Sequence, residues 1–167
     1  DEDDKMARRS IAQMLRQHHA IEHATVTLLS QRLPGVALMA RSDLEGFTLF
    51  GDADTPLVEE VAREALGRLQ AGEHGLAIHP NCGTNLVTSG MLSGMAVMAV
   101  TGGRKRSWSD RIPASLLAAT LALIFAIPAG RWVQQNVTTS PHVRGLRIRG
   151  VTPLKGGPVA RHRITIS

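Results

Sequence analysis

A single cysteine and not one tyrosine occur in this chain of 167 residues. One thiol cannot close an internal disulfide, so Cys82 has to be explained as a ligand or a nucleophile rather than a staple. Aromatic residues make up only 3% of the chain, which removes the stacking platforms that single strands need. The arginines are also scattered rather than gathered in one patch, so nucleic acid is set aside as a partner. Charge is missing over long stretches. None falls between Pro80 and Gly103, and none between Ile112 and Gly130. Each run meets or approaches the roughly 20 residues that cross a hydrocarbon core.

What remains is basic, with a formal net charge of +5. Asp1 to Lys5 read as a tag remnant ahead of Met6 and hold four carboxylates, so the chain from Met6 onward is more basic still. With nucleic acid set aside, that excess fits an anionic membrane surface. Arg8 and Arg9 lead into an amphipathic helix instead of an apolar core, so no signal peptide is expected.

From Met6 to about Arg32 the spacing of Ile11, Met14, Leu15, Ile21, Leu28 and Leu29 predicts one helix, closed by Pro34-Gly35. Two short apolar runs, Val36–Ala40 and Gly46–Phe50, flank Arg41–Glu45 as a β-hairpin would. Thr55-Pro56 then opens an amphipathic helix through Leu57, Val61, Ala65, Leu66 and Leu69, ended by Gly72. A short strand, Leu76–Ile78, is expected to deliver His79. Beyond Gln134, the segments Leu146–Arg149 and Arg161–Ile166 alternate with period two across Lys155–Pro158, a second hairpin.

The fold expected is therefore that of an α+β membrane protein. A small N-terminal α/β-hairpin domain (6–85) precedes two transmembrane helices (86–133, the spans at about 86–102 and 112–131) and a C-terminal β-hairpin tail (134–167). The second span carries Ala114, Ala118, Ala122 and Ala126 at four-residue spacing. The first carries Gly90 and Gly94, a G-x-x-x-G. Small faces of this kind let helices approach closely, within an antiparallel pair or, at Gly90 and Gly94, between the copies of a homodimer. Trp108 and Trp132 suit the membrane interface. The expected location is a bacterial-type inner (cytoplasmic) membrane, crossed more than once, with the soluble parts cytoplasmic.

The chemistry concentrates in two places. His18-His19-Ala20-Ile21-Glu22-His23 holds three of the seven histidines, and His19, Glu22 and His23 spell H-x-x-E-H. On a helix, positions i and i+4 share a face, which lets two imidazoles bind one divalent metal while the glutamate sits beside them as a base. Downstream, His79 and Cys82 form an H-x-x-C pair, the spacing at which a tight turn presents two ligands to one tetrahedral ion. His19, His23, His79 and Cys82 are the expected metal ligands, zinc or another divalent transition metal the cofactor, and Glu22 the catalytic base. His18, Thr84 and Asn85 are expected in supporting positions, with Thr84 or Asn85 capping the first membrane helix. If a carboxylate completes the ligand set, Asp43, Glu45 and Glu73 are available.

The two motifs together, His19-Ala-Ile-Glu-His23 and His79-Pro-Asn-Cys-Gly-Thr84 at the mouth of an apolar helix, resemble the YqhQ-like family of predicted metal-dependent membrane enzymes. The chain departs from that pattern in having His18 before the first motif, in place of an aromatic, and Ala24 after it, in place of a lysine. The resemblance implies a metal site and no particular substrate. Three functions are then open: a zinc hydrolase, a peptidase among its forms, working through Glu22; a membrane scaffold or accessory subunit with a structural metal; and a hydrolase with Cys82 as nucleophile.

Overall fold

The computed structural model describes residues 11–102 and 107–167. The tag reading and the basic run Arg104-Lys105-Arg106 lie outside the described residues. The chain divides into two compact units, one made of the residues up to His79 together with Thr138–Ser167, the other Pro80–Val137.

The first unit is α+β. Its elements are α1 (Ile11–Arg32), β1 (Met39–Asp43), β2 (Gly46–Phe50), α2 (Thr55–Gln70), a 3₁₀ turn (His74–Ala77), β3 (Ile148–Leu154) and β4 (Arg161–Ile166). The strands form one antiparallel sheet in the order β1-β2-β4-β3. The C-terminal strand thus lies against β2, so the two hairpins, far apart in sequence, share one sheet. Period-two alternation turns Phe47, Leu49, Ile164 and Ile166 to one face, where they are buried. The registers Phe47↔Ile164 and Leu49↔His162 set these side chains directly opposite each other. Gly46 opens β2 at φ 144°, and a Cβ there would lie 2.1 Å from the carbonyl oxygen of Ile164, so no other residue fits.

On α2, Val58, Val61, Ala62, Ala65, Leu66 and Leu69 are all buried, a single helical stripe facing the core. Asp54 is its N-cap residue and Pro56 occupies the first turn. The segment expected as a strand at Leu76–Ile78 is instead the 3₁₀ turn, in which Ile78 N–H donates to the carbonyl of Gly75. That stretch has no neighbouring strand to pair with, so its backbone groups are satisfied locally.

α1 departs from the usual amphipathic pattern. Its buried set includes Ala20, Ile21, Ala24, Leu28 and Leu29, but also Gln17, His18, Glu22, His23 and Thr25. Burying such groups without partners costs about 1–3 kcal/mol each, so their hydrogen bonds decide whether the helix can sit there.

The second unit is a pair of helices packed side by side, α3 (Gly83–Thr101) and α4 (Trp108–Val133), with a π-turn (Gln134–Thr138) continuing α4. Both helices are long and apolar enough to cross a membrane. Their large side chains, among them Leu86, Met91, Met98, Leu116, Ile124 and Phe125, are exposed. Ala114, Ala118 and Ala122 are half-buried and Ala126 is fully covered, the small-residue face of α4. Gly90 and Gly94 are exposed, and a Cβ on either would meet nothing within 4 Å. They therefore do not serve the packing of α3 on α4.

Arg163 ties the two hairpins of the sheet together through ion pairs with Asp43 and Glu45. Arg163 grips both carboxylate oxygens of Asp43, with Nη2 to Oδ1 at 2.7 Å. The Arg163 hydrogen bond is the chief reason that the Asp43 carboxyl is held below its ordinary value of 3.8. A carboxyl depressed by folding stabilises the fold above its unfolded pKa and loses that contribution as pH falls through the folded value. With the Asp43 side chain half exposed, the contribution is about 0.5 kcal/mol. Asp43→Asn is expected to lower stability by that amount at neutral pH and to converge with wild type in acid, once the pH has fallen through the lowered carboxyl value. Chemical denaturation at the two pH values checks this; a difference that persists or grows in acid would contradict it.

Candidate metal centre

The histidines of α1 sort into two faces. His18 and Glu22, one turn apart, look toward the first hairpin. The Ser42 hydroxyl donates to Glu22 Oε2, and His18 Nδ1 lies 2.8 Å from the carbonyl of Asp43. His19 and His23, also one turn apart, look elsewhere. His19 Nδ1 is 3.0 Å from the carbonyl of Thr138, and His23 Nδ1 is 2.7 Å from the carbonyl of Ala77.

A carbonyl oxygen can only accept, so each of these three Nδ1 atoms carries the hydrogen. In the neutral ring the lone pair then falls on Nε2. Metal-ligating histidines are typically prepared in this way, with one ring nitrogen donating to a carbonyl so that the tautomer and the ring orientation are fixed. The rings of His19 and His23 meet edge to face at a centroid distance of 4.3 Å. Their ligand nitrogens lie within 4.8 Å of one another. The ring of His79 stands further out, its centroid 5.9 Å from that of His23.

Glu22 is 7% exposed and lies one turn from both His18 and His19 on the helix. Its carboxylate is oriented by a serine that sequence reading did not single out. Ser42 could have been found only through the register that brings β1 beneath α1.

Cys82 belongs to the second unit, three residues beyond His79 in the chain. It is the N-cap of α3, and its sulfur accepts the N–H of Thr84 at 3.4 Å. The expected cap at Thr84 or Asn85 is thus corrected: Thr84 is the donor, and Asn85 turns back, its Nδ2 donating to the carbonyl of Pro80 at 2.7 Å. A sulfur at a helix N-terminus that receives an amide hydrogen sits where thiolate, the metal-binding form, is favoured.

The tautomers can be tested directly. Long-range ¹⁵N–¹H spectra of the metal-free protein are expected to show His18, His19 and His23 protonated at Nδ1. Free histidine favours the other tautomer, so Nε2–H signals for His19 and His23 would contradict the arrangement.

Comparison with known proteins places the chain. It is 37% identical to an uncharacterised protein of Picosynechococcus sp. over 136 residues, 75% of this chain and 66% of the relative. The chain therefore spans somewhat less than two thirds of that relative's length. No solved structure matches. The likeness to the YqhQ-like family remains one of two motifs. A family model described as a domain of unknown function, DUF6391, matches residues 14–151, and the chain belongs to that family.

Proposed function

We propose that this chain is a membrane-bound, metal-dependent hydrolase, acting on peptide bonds, that holds zinc or a similar divalent ion through His19 and His23. The observation that carries the reading is the pair of Nδ1–H donations, His23 to Ala77 and His19 to Thr138, which present two Nε2 lone pairs from consecutive turns of one helix. Cys82 is the third ligand. It follows His79 by three residues, so its Cα lies within about 11 Å of that histidine, and its capping position favours the thiolate. His79 then supports the site, and a bound ion would supply Lewis-acid activation of a water.

Glu22 supplies the base. It would take a proton from a water as the water oxygen bonds to the carbonyl carbon, and return a proton to the leaving nitrogen as the C–N bond breaks. The two apolar helices anchor the chain in a bacterial-type inner membrane, and the bilayer is its main partner. A homodimer through Gly90 and Gly94 is compatible with the open face those glycines occupy.

A second reading has one specific observation behind it. The Glu22 carboxylate is already engaged by Ser42 on the hairpin, which suits a structural role. The metal would then be held by all four of His19, His23, His79 and Cys82, and the protein would be a scaffold or accessory subunit.

Elemental analysis of the full chain, purified in detergent without chelator, is expected to find about one divalent transition metal per chain. His23→Ala should weaken metal binding by more than about 100-fold. Metal-free wild-type protein would sink both readings. Glu22→Gln separates them when assayed with a fluorogenic peptide library. On the hydrolase reading it keeps fold and metal and loses about 10²-fold or more in rate. Wild type inert towards every peptide, with metal bound and Cys82→Ser unfolding the chain, would favour the structural reading.

A further inference from the structure

The turn carrying Cys82 is held from inside the second unit by a chain of amide hydrogen bonds. Gln134 Nε2 donates to Asn85 Oδ1 at 2.7 Å, and Asn85 Nδ2 donates to the carbonyl of Pro80 at 2.7 Å. Asn85 stands one turn into α3, and Gln134 closes α4. The link runs from the end of one apolar helix, through a side chain of the other, to the backbone two residues before Cys82. Gln134 is completely buried. A buried amide so placed has to be paired, and its partner is fixed by geometry rather than chosen from solvent.

Gly130 completes the arrangement. It lies one turn before Gln134 on α4, and a Cβ there would come 2.4 Å from Asn85 Oδ1 and 3.4 Å from Asn85 Cα. A glycine inside an apolar helix weakens it, so this position is used for the close approach of Asn85. The chain passes between the two units twice, at His79–Pro80 and at Val137–Thr138. The Asn85–Gln134 link joins the two passages. The first of them is followed directly by the turn that carries Cys82.

We propose that Asn85 is a positioning residue for Cys82, braced by Gln134 and given room by Gly130, so that the apolar helix pair sets the place of the thiolate ligand. The proposal rests on the reading of Cys82 as a metal ligand. It assigns the G-x-x-x-Q relation of Gly130 and Gln134, together with Asn85, to the site rather than to helix packing alone.

The test uses the full chain in detergent with cobalt(II) alone as the probe. Wild type is expected to show a thiolate-to-cobalt charge-transfer band that Cys82→Ser removes. Asn85→Asp changes one atom, deleting the donor to Pro80 while keeping the acceptor for Gln134. With helix content unchanged, it is expected to weaken cobalt binding about 10- to 100-fold and to diminish the band. Gly130→Ala, which ordinary helix propensity says should stabilise α4, is expected to do the same. Variants with wild-type affinity and band would overturn the positioning role.

If wild type gives no thiolate band, the metal reading has failed. Alkylation of Cys82 in metal-free protein still decides the positioning role. A rate raised about 10-fold or more in Asn85→Asp would support it through local loosening of the turn, and an unchanged rate would overturn it. If Gly130→Ala loses helix content, Asn85→Asp alone decides.

Discussion

An imidazole or a carboxylate enters a protein core only with a hydrogen-bond partner in place, and α1 takes several such groups inside at once. Leaving His18, Glu22 and His23 unpaired would cost about 1–3 kcal/mol each, against a total stability of about 5–15 kcal/mol for a domain. The first unit is arranged to avoid that cost. The hairpin supplies Asp43 and Ser42, the 3₁₀ turn supplies Ala77, and the returning chain supplies Thr138. These partners come from separated parts of the sequence, so the polar side of α1 specifies how the unit is assembled. The same bonds fix which nitrogen of each histidine is left to act as a ligand.

The second unit follows different rules. Its exposed surface is apolar, with large side chains outward and alanines inward, the reverse of a soluble helical pair. A surface of that kind calls for a lipid environment or an extensive partner. Threonines along the helices return their hydroxyls to their own backbone, as Thr88 does to Thr84 and Thr120 to Leu116. Asn85 and Gln134, near the helix ends, are instead bonded to one another between the two helices.

Much of this was legible in the sequence, and the limits have physical causes. The helical spacing of Ile21, Leu28 and Leu29 and the period-two runs around Phe47 and Ile164 gave the elements, because burial imposes those periods directly. The charge-free runs gave the two apolar helices. Alternation marked β4 as a strand, but its pairing with β2 is set by long-range contacts that the alternation does not encode. The motif H-x-x-E-H announced the residue types but not their partners, Ser42 for Glu22, Thr138 for His19 and Ala77 for His23. Adjacent helical positions diverge by about 100°, and only the surroundings decide which divergence matters. The cysteine that caps its own helix, and the 3₁₀ turn at His74–Ala77, reflect local backbone hydrogen bonding that residue types do not announce. Gly90 and Gly94 form a familiar packing signature, yet the face used between α3 and α4 lies elsewhere.

The central claim is that two tautomer-fixed imidazoles and a capping thiolate are prepared to hold one metal ion. X-ray absorption at the edge of the metal retained by the full chain tests it most directly. The account predicts nitrogen scatterers at about 2.0–2.1 Å and a sulfur at about 2.3 Å, the sulfur lost in Cys82→Ser and nitrogen reduced in His19→Ala. A chain that retains no divalent metal, or one whose metal is surrounded by oxygen alone, would contradict it.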